Sequence, residues 1–131
     1  MNNRYLYRAK RKSDKKWIYG NLIQTDDGVY IIQNYVPQHL IGKYEVDPST
    51  ICQCTGLKDK NGKLIWENDI MVAHIDDVFP EDETYTKVLW HNNGFCTNEN
   101  HSIDIEPIDE FDKIHFEVCG NIFDNPELLE K

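Results

Sequence analysis

The sequence predicts an all-β protein of mostly antiparallel strands, partly barrel-like, with a short C-terminal helix. β-branched and aromatic residues number 42 of 131, whereas Leu, Met and Ala number 12, and this bias favours pleated strands over helices. Ile, Val, Leu and Phe supply 34 of the 131 residues. This share exceeds the roughly one-fifth below which chains tend to stay disordered. The length predicts a single domain, 1–131, in which we distinguish two lobes, 1–57 and 58–131.

The first half of the chain reads as short strands separated by turn signals. Bulky and basic residues alternate over 4–10, and an aromatic and β-branched run follows over 17–23, so the two segments predict a hairpin. Asp27-Gly28 predicts a tight turn into a third strand, because Gly accepts positive φ without steric cost. Residues 34–48, with two prolines, predict a loop or one helical turn before a strand over 49–55.

Two reversals are predicted in the middle of the chain. Asn61-Gly62 favours a tight turn, and Asn68-Asp69 suits a reversal with a left-handed residue that leads into a buried strand over 70–75. The segment 76–83 is rich in acids and turn-forming residues and predicts an exposed loop. The residues assigned to structural turns are Gly56, Asn61, Gly62, Asn68 and Asp69.

The second half continues as short strands, which we place at 85–90, 95–97, 102–108 and 113–120, with a turn over 92–94. Helical signals are confined to the C-terminal end. Asn125 suits an N-cap and Pro126 suits the first helical position, so 125–130 is the predicted helix.

Residues 55–72 carry the most specific pattern in the chain, T-G-L-K-D-x-N-G-K-x-I-W-E-N-D-I-x-V. It resembles the signature of the YopX family, small proteins encoded by phages and prophages. The flanks agree, with Arg-Tyr-x-Tyr-Arg-Ala over 4–9 and Glu-Val-x-Gly-Asn-Ile-Phe over 117–123. Asn68 stands where the family usually has Gly, and Asn also tolerates the left-handed region. The resemblance implies a mostly-β fold and a phage origin, and it implies no activity and no catalytic residues.

The charge is strongly asymmetric along the chain. Residues 1–16 hold seven basic groups and one acid, a net charge of +6, and residues 17–131 sum to −15. The basic groups interleave with aromatic residues in the first hairpin. The candidate interaction residues are Arg4, Arg8, Arg11, Lys12, Trp17 and Tyr19.

This asymmetry favours a non-enzymatic protein-binding module whose partner is a host or phage protein, or a second copy of the chain in a homo-oligomer. The alternative is nucleic-acid binding, because cations for phosphate and aromatic faces for bases form single-strand platforms; the −15 remainder opposes it. The acidic body also permits mimicry of a nucleic-acid backbone. The third hypothesis for the function is an enzyme of unrecognised type.

No catalytic, cofactor or metal residues are assigned. Cys52 and Cys54 lie two apart on a predicted strand, a spacing unlike that of zinc sites, and His91 and His101 do not define a dyad with Cys96. Glu67 and Asp69 fit a capped turn better than acid–base chemistry. Apolar runs reach only four residues, which predicts a cytoplasmic protein of the host cell with reduced thiols and no membrane segment.

Overall fold

The structure is a computed structural model that describes residues 3–33 and 43–131. Contacts divide the chain into two compact units, Met1–Cys54 and Thr55–Lys131, and each is described by itself. Across the described ranges, no helix has the length and apolar character needed to cross a membrane.

The first unit is an antiparallel sheet, and the predicted hairpin forms its centre. Ala9 pairs with Ile18 across this hairpin, so both side chains face the same side. A 3₁₀ turn over Pro48–Thr50 is capped by Asp47, whose carboxylate accepts from the Ser49 N–H at 3.0 Å. The strands, which lie in the order β4-β3-β2-β1-β5, are β1 (Tyr7–Lys10), β2 (Trp17–Thr25), β3 (Gly28–Ile32), β4 (Lys43–Glu45) and the start of β5 (Cys52–Lys58).

One face of this sheet carries the core of the first unit. Ala9, Ile18, Ile31 and Val46 are buried together, and burying such side chains stabilises by about 1.5–3 kcal/mol each for the larger ones. Because side chains alternate along a strand, the neighbours of these residues point to the opposite face. The cations of β1 therefore lie on the face away from this core.

The second unit contains the end of β5 and a five-stranded antiparallel sheet in the order β10-β9-β8-β7-β11. The all-β prediction is confirmed, but the sheets do not close into a barrel. The edge strand β10 has two residues, one of them Pro107, which has no N–H with which to extend the ladder. The elements are β6 (Leu64–Trp66), β7 (Asp69–Ala73), β8 (Thr84–His91), β9 (Gly94–Glu99), β10 (Glu106–Pro107), α1 (Glu110–His115), β11 (Glu117–Asn121) and a 3₁₀ helix over Pro126–Glu130.

β7 is buried on both faces, and every one of its residues is inaccessible to solvent or nearly so. Met71 packs with Val88 and Phe116 on one face, and Ile70 packs with Tyr85 on the other. The second face is covered by the C-terminal 3₁₀ helix through Leu128 and Leu129. The predicted C-terminal helix is thus present as a 3₁₀ helix with a packing role.

Two predicted strands are corrected. The segment 102–108 forms only β10, and 113–120 begins with α1 before β11. Asp109 accepts from the Asp112 N–H at 3.0 Å, and the Asp112 carboxylate accepts from the Asp109 N–H at 3.1 Å. This capping box starts a helix, and it prevails over the β propensity of the apolar residues nearby.

Gly62 and Asn68 lie in turns, as predicted, with φ of 81° and 72°. Gly56, which was also assigned to a turn, lies instead within β5, where it has a φ of 80°. Asn92 and Asn93, also at positive φ, turn β8 into β9. The loop or helical turn predicted over 34–48 falls partly outside the described residues, and the part described, from residue 43, contains β4 and the start of the 3₁₀ turn.

Candidate functional site

The basic and aromatic residues of the first hairpin share one face of the sheet. Arg8 pairs with Tyr19, and Lys10 pairs with Trp17, across β1 and β2. Directly opposed residues in an antiparallel pair project to the same side. The structure therefore brings three of the predicted interaction residues, Arg8, Trp17 and Tyr19, onto a single surface.

The cations on this face stack on the aromatic rings. The Arg8 guanidinium carbon lies 4.7 Å from the centroid of the Trp17 ring, and the Lys10 Nζ lies 5.4 Å from it. Arg8 itself is 93% buried, with 7% of its surface exposed. Cation–π contacts at such distances are favourable, so the Trp17 ring already has cationic partners.

Two arginines elsewhere in the first unit make the same kind of contact. Arg4, in the 3₁₀ turn Asn3–Tyr5, lies with its guanidinium 5.1 Å from the Tyr5 ring. Arg11 lies 5.2 Å from the Tyr44 ring. Basic and aromatic residues that alternate in the sequence therefore contact one another within the protein.

Arg11 and Lys12 lie at the turn between β1 and β2, where carboxylates face them. The Arg11 Nε donates to Asp14 at 3.0 Å, and a second Arg11 nitrogen also binds that carboxylate. These bonds, with the backbone N–H of Lys16, lower the pKa of Asp14 to about 2. Lys12 Nζ lies 3.2 Å from a Glu45 oxygen.

Two cavities adjoin this turn and share Arg11 and Lys12. The larger, of about 390 Å³, is lined by Lys10, Arg11, Lys12, Lys15, Asp47 and Pro48. The smaller, of about 310 Å³, is lined by Arg11, Lys12, Ser13, Tyr44 and Glu45.

The second unit carries a surface that the sequence analysis did not identify. α1 buries none of its side chains, and it presents Phe111 and Ile114, 48% and 61% exposed. Their i, i+3 spacing places both on one side of the helix. Ile103 and Ile105, 95% and 38% exposed, precede the helix on the same stretch of chain.

Acidic residues surround these exposed apolar side chains in sequence. Residues 103–114, which we call the acidic segment, contain five acids and one lysine, a net charge of −4. Asp104, Glu106 and Asp112 line a cavity of about 110 Å³ together with Thr97, Glu99 and Ser102. Partial burial raises the pKa of Asp112; the hydrogen bond from the Asp109 N–H lowers it, and the Asp109 carboxylate raises it.

In the part of the chain that the structure describes, the thiols and imidazoles do not assemble into a metal site. Cys96 is buried, and its Sγ donates to the backbone oxygens of His91 and Gly94 at 3.6 and 3.7 Å. It therefore contacts the His91 main chain, with the imidazole playing no part in the bond. Within residues 3–33 and 43–131, no three His, Cys, Asp or Glu side chains are placed to hold a metal ion.

The motif acids have structural contacts. Asp69 is 2% exposed, and its carboxylate accepts from the Trp66 N–H at 2.7 Å. Sequence reasoning missed Asp59, which is also buried and accepts three backbone hydrogen bonds. The signal for Asp59 was present as an Asp two residues before Asn61-Gly62, a position that favours an Asx turn.

The fold defines the chain as a small antiparallel β-sheet protein of two units. The family model described as YopX protein matches residues 6–130, and the chain therefore belongs to the YopX family. It is similar to the crystal structure of protein EF1440 from Enterococcus faecalis, with 26% identity and a TM-score of 0.58, over 94% of this chain and 96% of that one. No curated protein matches the chain.

Proposed function

We propose that this YopX-family protein is a non-enzymatic accessory protein of phage or prophage origin that acts in the host cytoplasm by binding protein. The observation that carries the proposal is the exposure of Phe111 and Ile114 on α1. A six-residue helix is too short to be stable by itself, and helices in proteins usually bury an apolar stripe. An apolar stripe directed to solvent is typical of a surface that a partner covers.

The charge of the acidic segment defines the chemistry of its partner. Five acids within twelve residues disfavour acidic surfaces and favour a basic one that also offers apolar contacts. Charged groups around an apolar centre form the rim of many protein interfaces. The partner surface should therefore be basic and aromatic.

A second copy of this chain offers such a surface. The first unit has eight basic and five acidic residues, a net charge of +3, whereas the second has six and eighteen, a net charge of −12. Exposed Tyr5 and Tyr19 accompany the cations of the hairpin. We therefore propose head-to-tail self-association, in which the hairpin of one copy covers the acidic segment of another.

The contacts of the hairpin support this partner over a nucleic acid. A single-strand platform needs ring faces on which bases stack, and Trp17 has Arg8 and Lys10 stacked on it. Arg11 and Lys12 face carboxylates within the same unit, which lowers the charge they offer to phosphate. A protein partner can still contact the ring edges and hydroxyls of the exposed Tyr5 and Tyr19.

Sedimentation velocity tests the proposal. The wild-type chain is expected to self-associate at about 0.1 M salt and to dissociate partly at about 1 M, where the Debye length falls from ~10 to ~3 Å. The double substitution Phe111→Ser, Ile114→Ser is expected to yield monomer at both salt concentrations. Thermal unfolding checks that this variant is folded. Its melting temperature should be nearly that of the wild type, because neither side chain is buried.

The matched control is Val78→Ser, Phe79→Ser. These side chains are also exposed and lie in the other acidic loop of the second unit. The control should associate like the wild type. A monomeric wild type at high concentration, or equal loss of association in both double variants, would contradict the proposal.

A further inference from the structure

The hairpin of β8 and β9 turns through Asn92 and Asn93, and Gly94 begins β9. We infer that Asn93 is a site of spontaneous covalent modification, at which the side-chain amide is lost by deamidation and the residue becomes aspartate or isoaspartate. The inference concerns this turn alone and is independent of self-association. The second unit contains another Asn-Gly pair, Asn61-Gly62, and its surroundings provide the comparison.

Deamidation at an Asn-Gly pair needs only water. The backbone nitrogen of the glycine loses its proton and attacks the Cγ of the asparagine side chain. The new bond from nitrogen to Cγ forms as the bond from Cγ to the amide nitrogen breaks, and the amide nitrogen takes up the proton and leaves as ammonia. Water then opens the succinimide ring at one of its two carbonyls, which gives aspartate or isoaspartate. Glycine favours the attack because it has no Cβ to shield its nitrogen.

The amide of Asn93 is accessible and unrestrained. Asn93 is exposed, as is Asn92 before it. In the part of the chain that the structure describes, the Asn93 side chain makes no hydrogen bond. Its Cγ can therefore rotate toward the Gly94 nitrogen without losing a contact.

The attacking nitrogen lies at the end of a strand ladder. Gly94 pairs with His91 and closes the hairpin, so this pair has a neighbouring pair on one side only. Such ends open at a lower free energy than the interior of a sheet. Asn92 and Asn93 have φ of 49° and 69°, a region that residues other than glycine enter at a cost. Because opening of the turn relieves this strain, the Gly94 nitrogen is released more readily than a nitrogen inside the sheet.

The same dipeptide is held in place at Asn61-Gly62. The Asn61 Nδ2 donates to a Glu117 carboxylate oxygen at 2.8 Å, and the Gly62 N–H donates to the Asp59 backbone oxygen at 3.0 Å. The Asp59 carboxylate accepts from the N–H groups of Asn61 and Lys63, which flank Gly62. Positive φ falls here on Gly62, where it causes no strain. Both reacting groups must be released before the attack, so Asn61 should react slowly.

The products at position 93 differ from asparagine in charge and in backbone length. Both add a carboxylate to the turn, and isoaspartate also lengthens the main chain by one carbon, because the peptide bond then runs through the side-chain carboxyl. A two-residue turn cannot absorb this atom without disturbing the closing pair. The next pair of the ladder is Trp90 and Phe95, whose rings contact edge to face at 5.0 Å. Deamidation should therefore alter the exposed aromatic end of the hairpin.

Peptide mapping by mass spectrometry tests the inference. The full chain is incubated at mildly alkaline pH, at which the attacking nitrogen loses its proton more readily, and chromatography separates aspartate from isoaspartate peptides. Asn93 should lose its amide about tenfold faster than Asn61, because the hydrogen bonds at Asn61-Gly62 reduce the population that can react. In concentrated urea, where neither turn forms, the two rates should become similar.

Two variants assign the reaction and the protection to these contacts. Gly94→Val should slow deamidation of Asn93 about tenfold or more, because a β-branched side chain shields the attacking nitrogen. This variant should fold, since a Cβ on Gly94 would meet nothing within 4 Å and valine suits a strand. Glu117→Ala removes the acceptor of the Asn61 amide, so it should speed deamidation of Asn61 severalfold and leave the rate at Asn93 unchanged.

Three results would overturn the inference. Equal rates at Asn93 and Asn61 in the folded wild type would show that the contacts of the two turns do not select the site. An Asn93 that stays intact in the folded chain and reacts in urea would show that the hairpin end protects it. An unchanged rate at Asn93 in Gly94→Val would show that the Gly94 nitrogen is not the attacking group.

Discussion

The carboxylate of Asp59 accepts a hydrogen bond from the backbone N–H of Val118 at 2.8 Å, which joins the β5–β6 turn to β11. The other oxygen of Asp59 accepts from the N–H groups of Asn61 and Lys63, both at 2.9 Å. One buried side chain thus fixes the local turn and attaches it to a strand 59 residues away. It explains why an acid stands inside the most specific motif of the chain.

Removal of Asp59 is expected to be costly. Asp59→Ala leaves three backbone N–H groups without their acceptor, two of them at the turn, and should lower the free energy of unfolding by roughly 2–4 kcal/mol. Urea denaturation measures the change. Asp77→Ala, at an exposed loop position, is the control and should stay within about 0.5 kcal/mol. Equal midpoints for the two variants would refute the role of Asp59.

Local turn chemistry accounts for what could be predicted from the sequence. Gly62 and Asn68 adopt positive φ because the residue types themselves favour it. Alternation of core and surface residues likewise predicted the first hairpin. The contact between Asp59 and Val118 could not be predicted, since it depends on how distant strands pair.

The candidate surfaces, too, could be predicted only in part from the sequence. Interleaved cations and aromatics were visible in the sequence, but the burial of Arg8 against Trp17 depends on strand register. α1 was missed because β-branched and aromatic residues obscured the capping box of Asp109 and Asp112. Exposure of Phe111 and Ile114 follows only once that helix is placed.

Two glycines should respond differently to substitution. A Cβ on Gly20 would lie 2.2 Å from the backbone oxygen of Ile32, whereas a Cβ on Gly62 would meet nothing within 4 Å. Gly20→Ala should therefore cost about 3 kcal/mol or more, and Gly62→Ala about 1–2 kcal/mol of backbone strain. The melting temperatures of the two variants rank these costs, and the reverse order would contradict the close approach of β2 to the last residue of β3.

Acid titration should reveal the pairing of Asp14 with Arg11. The folded pKa of about 2 lies below the ordinary value of 3.8, so this carboxylate contributes stability above pH ~4 that is lost as the pH falls toward 2. Arg11→Gln should raise the pKa of Asp14 toward 3.8, as measured by carbon-13 titration of its carboxyl group. In the same variant the pKa of Asp47, which Ser49 lowers, should not change. If the pKa of Asp14 stayed low in Arg11→Gln, the pairing with Arg11 would be contradicted.

Folding should require no metal. Cys96 donates to backbone oxygens, and the Sγ of Cys119 donates to the Ile70 oxygen at 3.4 Å; a donating thiol keeps its proton, whereas a zinc ligand loses it. Excess chelator should leave the melting temperature unchanged, and elemental analysis should find well under one zinc per chain. Stoichiometric zinc that is lost together with the fold would disprove this expectation.

Head-to-tail binding of the hairpin to the acidic segment is tested most directly by exchanging their charges. One variant carries Lys15→Glu and Lys16→Glu, and the other carries Asp104→Lys and Glu106→Lys, all at exposed positions. The first variant lowers the net charge of residues 1–16 from +6 to +2, and the second brings the acidic segment from −4 to 0. Each variant alone therefore loses most of the charge attraction across the contact and should sediment as a monomer. Mixed in equal amounts, they should form a 1:1 heterodimer, because the unchanged hairpin of one variant then meets the unchanged acidic segment of the other. A mixture that remains monomeric, or single variants that associate like the wild type, would contradict the proposed contact.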